Sequence, residues 1–189
     1  MANIAMFHSV LGLRPMEIEG AERLRAAGHD VCLPDLFNGA RTDNLEEGFS
    51  VKERIGWDAI CARAREAAKA LPQDAFLIGI SMGAGVVAEI WPARPRTRGV
   101  ALLHGLASVP RTARPGTKVQ LHIGSRDTLF PPQEFSAWQQ AARVSGLTID
   151  AFTYNNAGHF FTDEGSPEYN KVATSLLWPR LLEFLAVPA

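Results

Sequence analysis

The sequence predicts an α/β protein: a mainly parallel sheet of about six strands with helices on both faces. Three observations carry this expectation. Short apolar runs alternate along the whole chain with stretches whose apolar residues recur at helical spacing. Residues 75–80 are apolar throughout except for Gly79, which suits a strand covered on both faces of a parallel sheet. The 189 residues are 47% hydrophobic and 21% charged, a globular balance that argues against disorder, collagen and coiled coil. At about 150 residues per domain, this length fits one domain over residues 1–189.

Residues 3–7 form the first strand, which stops at His8-Ser9. Residues 17–27 form a helix with Ile18, Ala21 and Leu24 on one face and Gly28 closing it. The second strand, 30–33, ends at Pro34-Asp35. Residues 36–50 carry Asn38-Gly39 and scattered charges and read as a loop. A long helix over 51–71 follows, with Ile55, Ala59, Ile60, Ala64 and Ala68 at helical spacing, and Pro72 ends it. The buried strand 75–80 leads into a helix that starts after Ser81 and stops at Pro92. Strand 99–103 is followed by a proline-rich loop over 109–116, then strand 118–123. Residues 132–144 form a helix closed by Gly146, and 147–152 the last strand. A final helix runs from about 167 to 185, with Pro179 predicting a kink.

The charge count excludes one group of functions. Nineteen basic residues against twenty acidic ones leave a net charge of −1, no basis for a nucleic-acid or acidic-membrane partner. The two cysteines, Cys32 and Cys61, are too few for a disulfide scaffold and have no zinc or CxxC spacing, so buried reduced thiols are expected. The N-terminus lacks the basic region of a signal peptide, and no run approaches the roughly 20 apolar residues of a membrane span. The expectation is a cytoplasmic protein, monomer or homodimer, without metal or organic cofactor.

The most informative segment is Gly79-Ile80-Ser81-Met82-Gly83, a G-x-S-x-G between a buried strand and a small-residue helix start. A strand-to-helix reversal there lifts the Ser81 hydroxyl above the sheet and brings the Met82 N–H to the same space. The alternative is a merely glycine-rich turn that binds phosphate; the strand-helix placement favours the nucleophile. A serine needs a base to take its proton, and the base needs a carboxylate to hold it. In the order serine, acid, histidine the sequence offers Asp127 after strand 118–123 and His159 after strand 147–152. Both sit past the carboxyl ends of their strands, where parallel sheets place their sites. His8 precedes the serine, His29 lies on the wrong edge, His122 is inside a strand, and His104 could line a pocket. Asp163 and Glu164 lie on the histidine's own loop, a poorer angle than Asp127 offers. An oxyanion hole needs two N–H donors: Met82 supplies one, and the loop after the first strand supplies the other, with Val10 favoured.

These residues resemble the dienelactone hydrolase family of α/β-hydrolases over most of the chain. His8-Ser9-Val10-Leu11-Gly12-Leu13, the helix after it and Pro34-Asp35-Leu36-Phe37 look like the family's opening. Gly79–Gly83 matches its elbow, Gly124-Ser125-Arg126-Asp127 with Pro131-Pro132 its acid loop, and Ala157-Gly158-His159-Phe160 with Tyr154, Pro167 and Tyr169 its histidine loop. The resemblance implies a hydrolase on the α/β-hydrolase fold. Three departures matter. The namesake enzymes carry cysteine where Ser81 stands, a glutamate that helps control the thiol where Ser9 stands, and a carboxylate-binding arginine shortly after the histidine, where this chain reads Phe160-Phe161-Thr162-Asp163. The chain also begins directly with the oxyanion strand, so a minimal sheet without a cap domain is expected.

The resulting expectation is a serine hydrolase of carboxylic esters or lactones, with Ser81 as nucleophile, His159 as base and Asp127 orienting it. The rivals are a non-catalytic protein on the same fold, or a thioesterase or acyl transferase on the same triad. The pocket is expected to be shallow and formed by loops 9–15, 35–50, 104–116 and 159–168. Leu11, Phe37, Leu106, Phe130 and Phe160 are candidate substrate contacts, with Phe161 a further candidate. With no arginine after His159 and Asp163 nearby as an acidic lip, neutral substrates are expected to be preferred, unless Arg54 or Arg126 reaches the site.

Overall fold

A computed structural model describes residues 1–130 and 132–186. The elements in chain order are β1 (Asn3–Phe7), α1 (Pro15–Ala26), β2 (Asp30–Cys32), α2 (Leu45–Ile55), α3 (Trp57–Lys69), β3 (Phe76–Ile80), α4 (Met82–Ile90), β4 (Gly99–Leu103), β5 (Lys118–Gly124), α5 (Pro132–Val144), β6 (Thr148–Tyr154) and α6 (Lys171–Leu185). The six strands pair in the order β2-β1-β3-β4-β5-β6, each pair parallel. All of them therefore end on one edge of the sheet. The order reverses between β1 and β3, and the crevice outside such a reversal is where ligands of open parallel sheets bind.

Alternation along the strands divides the core into two layers. On β3, Phe76, Ile78 and Ile80 face α1 and α6, together with Ile4 and Met6 of β1 and Leu24, Leu177 and Phe184 of the helices. Leu77 points the other way, with Phe7, Val100 and Leu102, against Ile60, Ala64, Val86 and Val87 of α3 and α4. This two-sided burial explains why the central strands are apolar at every position. No cap domain stands over the sheet among the described residues.

The helical segments differ most from expectation. The stretch 51–71 is not one helix. Gly56 has φ +87°, in the left-handed region that glycine alone enters freely, and it ends α2 and begins α3. Residues 36–50 are not all loop either: α2 starts at Leu45, where the Asn44 side chain caps it by accepting from Glu47 N at 2.9 Å. α6 starts at Lys171, later than expected, capped by Asn170 onto Ala173 N, and runs on through Pro179. α1 starts at Pro15, a good first helical residue because it lacks an N–H to leave unpaired. Cys32 and Cys61 are free thiols, and burial raises both, Cys61 to about 11. Among the described residues no helix is long and apolar enough to cross a membrane.

Candidate active site

Ser81 sits between β3 and α4 with φ 50° and ψ −112°, a conformation a serine rarely adopts. The turn is held from both sides: Ser81 N donates to Leu103 O at 2.8 Å, and Ala84 N donates to Ser81 O at 2.9 Å. Its glycines are required by close approach. A Cβ on Gly79 would lie 2.6 Å from the Ala84 backbone, and one on Gly83 would collide with the Phe7 carbonyl. The strained turn is thus fixed by tight contact between α4 and the ends of β1 and β3.

The fold brings Asp127 and His159 to this serine. Ser81 Oγ lies 2.8 Å from His159 Nε2, and His159 Nδ1 lies 2.8 Å from Asp127 Oδ2. The other oxygen of Asp127 accepts from Leu129 N at 2.9 Å and Phe130 N at 3.3 Å, which fixes the carboxylate's rotation. All three side chains are largely buried, with Ser81 the most open at 9%. The histidine loop is fastened by Glu168, whose carboxylate accepts from His159 N at 3.2 Å and Phe160 N at 2.9 Å. Phe130 stacks on the His159 ring at 5.8 Å, and Phe160 meets it edge-on at 4.5 Å. The imidazole therefore has little freedom to rotate out of line.

Ser81 opens onto a cavity of about 530 Å³ lined by Val10, Phe49, Lys52, Trp57, Met82, Gly85, Leu106, Leu129 and Phe130. Of the expected contacts, Leu106 and Phe130 line it, as do Val10 and Met82. Leu11 and Phe160 do not; they line a second cavity of about 270 Å³ beside His159, packed behind Val10 and Met82. Phe37 lines neither. Asp35 accepts from both Phe37 N and Gly39 N, and that turn folds the Phe37 ring into the core, edge-on to His8 at 5.0 Å. Phe161 is also core, against His104 and Tyr154. Phe49, Lys52 and Trp57 were not anticipated. They reach the cavity because α2 begins six residues early and Gly56 turns the chain sharply into α3.

The other histidines have structural partners. His8 Nε2 accepts from Leu36 N at 2.9 Å, so its other nitrogen carries the proton and donates to Ser9 O. His122 sits between Tyr154 Oη and Gln120 Oε1, and burial holds it down to about 3. His104 is wholly buried behind His159, bonded to Thr162 Oγ1, and burial keeps it neutral; it lines neither of the two cavities.

Asp163 does not form an acidic lip. It is buried, and its carboxylate meets the Arg14 guanidinium at 2.8 Å, tying the histidine loop to the loop after β1. Arg54 and Arg126 are exposed and line neither cavity. The charged residue lining the Ser81 cavity is Lys52, which pairs with Glu53 at 3.0 Å and lies 5.7 Å from the Trp57 ring centroid. Pro131 of the acid-loop resemblance lies outside the described residues.

Known structures share this architecture. A dienelactone hydrolase-like promiscuous phosphotriesterase from metagenomic libraries superposes with a TM-score of 0.80 at 20% identity, over 98% of this chain and 86% of that one. A putative dienelactone hydrolase from Klebsiella pneumoniae subsp. pneumoniae gives 0.80 at 15% identity, over 100% and 88%. A predicted CIB-like hydrolase from Thermoplasma acidophilum gives 0.63 at 20%, over 96% and 86%. Among curated proteins no relative matches. At these identities the likeness speaks for the fold. The family model for dienelactone hydrolases matches residues 1–187, and the chain belongs to the dienelactone hydrolase family.

Proposed function

We propose that this member of a hydrolase family is a serine hydrolase that cleaves carboxylic esters or lactones through an acyl-enzyme. The observation that carries the reading is the unbroken hydrogen-bond chain from Ser81 through His159 to Asp127 at the wall of an apolar cavity. Ser81 Oγ attacks the carbonyl carbon while His159 Nε2 takes the hydroxyl proton. The developing oxyanion accepts from the N–H groups of Met82 and Val10. Met82 is the first residue of α4, so its N–H has no acceptor within the helix, and both residues line the cavity. The tetrahedral adduct collapses, the carbon–oxygen bond to the leaving group breaks, and His159 gives its proton to the departing alkoxide. Water then loses a proton to His159 and attacks the acyl carbonyl. A second collapse frees the carboxylic acid and returns the proton to Ser81. Asp127 keeps the imidazole in the tautomer that accepts at Nε2 and stabilises its cationic form.

The lining favours an apolar acyl group of small to medium size, set by Phe49, Trp57, Leu106 and Phe130. With Asp163 neutralised and Lys52 paired to Glu53, charge contributes modestly: an exposed pair of this kind is worth up to about 1 kcal/mol. Neutral and carboxylate-bearing esters of equal size are expected within about fivefold in kcat/KM. A partly exposed rim at Phe49 and Leu129 leaves water as a ready acyl acceptor. The test is a series of p-nitrophenyl esters and small lactones with wild type and Ser81→Ala. Turnover that depends on Ser81 supports the reading. No turnover of any ester by wild type would favour a non-catalytic protein on this fold, and turnover only with an added alcohol or thiol would favour acyl transfer.

A further inference from the structure

Glu17 of α1 is fully buried, yet among the described residues no cation pairs with its carboxylate. The Arg14 guanidinium turns instead to Asp43 and Asp163. Burial pushes Glu17 above the usual carboxylate range, a desolvation cost that its hydrogen bonds offset in part. What the carboxylate does hold is the loop after β1. Its Oε1 accepts from Ser9 N at 3.2 Å and its Oε2 from Arg14 N at 3.2 Å, pinning both ends of the segment. The Ser9 hydroxyl accepts from Leu11 N at 3.3 Å. Gly12 N donates to Ser9 O at 3.2 Å. The amides on both sides of Val10 are thus occupied. The Val10 N–H donates to no group among the described residues, and Val10 lines the Ser81 cavity.

We infer that Glu17 is a positioning residue for oxyanion binding: its two oxygens fix residues 9–14 so that the Val10 N–H, which has no acceptor among the described residues, stays at the cavity that Met82 also lines. The inference rests on the serine-hydrolase reading above. A donor displaced by a fraction of an ångström loses much of its advantage in the transition state and little in the ground state, so kcat should fall while KM holds.

The test compares Glu17→Gln and Glu17→Ala with wild type on one p-nitrophenyl ester, with thermal stability and the affinity of a phenylboronic acid measured alongside. Glutamine keeps one acceptor and turns an NH₂ toward the other amide, breaking one tether; alanine breaks both. The expected result is a kcat about tenfold lower in Glu17→Gln and about a hundredfold lower in Glu17→Ala, with KM within about threefold. Boronate, which forms a tetrahedral adduct, should weaken in parallel with kcat/KM, while Glu17→Gln, which loses one buried backbone bond, melts a few degrees lower and stays folded at the assay temperature. A Glu17→Gln enzyme with wild-type kcat and boronate affinity would overturn the assignment. So would a raised KM at constant kcat. If Glu17→Ala does not fold, Glu17→Gln alone decides. Turnover lost in Ser81→Ala but kept in both Glu17 variants would refute this inference alone; turnover kept in Ser81→Ala would refute the serine reading and this inference with it.

Discussion

Replacing Asp127 with asparagine separates the shape of the hydrogen-bond chain from its charge. The structure dictates how the asparagine must sit. Asp127 Oδ1 accepts from two backbone donors, Leu129 N and Phe130 N, while Oδ2 meets, among the described residues, His159 Nδ1. The amide oxygen will take the position with two donors, because an NH₂ there would face two N–H groups in a buried site. The NH₂ then points at His159 and donates to Nδ1. That forces the proton onto Nε2, where it donates to Ser81 Oγ instead of accepting from it. A serine facing an N–H has lost its base. The expected loss is about 10⁴-fold in kcat, or about 5.4 kcal/mol of transition-state stabilisation. The assay is steady-state hydrolysis of a p-nitrophenyl ester at neutral pH, with melting temperature as a control for folding. Asp163→Asn is the comparison: it weakens a buried ion pair to Arg14 that retains Asp43, and should cost tenfold or less. Asp127→Asn retaining activity within tenfold of wild type would refute the tautomer argument. A larger loss in Asp163→Asn would move the acid to the histidine's own loop.

Other outcomes follow from the same geometry. Ser81→Ala should fold normally and lose up to about 10⁶-fold in turnover, since the members of such a triad act as a unit; the check is the same ester assay with protein concentration raised to detect a residual rate. Trp57→Ala should enlarge the Ser81 cavity and raise the octanoate-to-butyrate ratio of kcat/KM by about tenfold, the scale set by one or two methylene contacts; an unchanged ratio would mean the acyl group lies elsewhere. Stability should fall in acid. Burial holds His122 near 3 against 6.5 in the unfolded chain, so below about pH 6.5 the unfolded state takes up a proton the folded state refuses. The stability present above that pH is lost as pH falls toward 3, at about 1.4 kcal/mol per pH unit for this histidine. Urea unfolding at several pH values should show a shallower slope in His122→Gln, and an identical slope would contradict it.

The parts of the molecule legible in the sequence are those set by local pattern. The central strands β3 and β4 could be read because burial on both faces makes them continuous apolar runs, and Ser81 because the glycines that flank it are demanded by close backbone contact with Ala84 and Phe7. Asp127 and His159 could be read because a parallel sheet brings every strand's carboxyl end to one edge, so chain order alone predicts their meeting. The cavity wall was not legible. Helical spacing continues across Gly56, and nothing in that spacing reports a left-handed φ, so Phe49, Lys52 and Trp57 had no visible route to the site. Asp163 looked like a free acid because its partner, Arg14, is 149 residues away in the sequence. Phe37 looked like a pocket residue because the Asp35 turn that buries it is a matter of side-chain to backbone bonding rather than hydropathy. Glu17 drew no notice in the sequence because its bonds to Ser9 N and Arg14 N join a side chain to backbone, which helical spacing does not report.

The central claim is that Ser81 is a nucleophile that becomes covalently acylated. Intact-protein and peptide mass spectrometry after brief exposure to a fluorophosphonate tests it most directly. Wild type should gain one phosphonyl group on the peptide carrying Ser81, and pre-treatment with a turned-over ester should slow the gain. Ser81→Ala should gain none. An unlabelled wild type, or a label that persists in Ser81→Ala, would contradict the account.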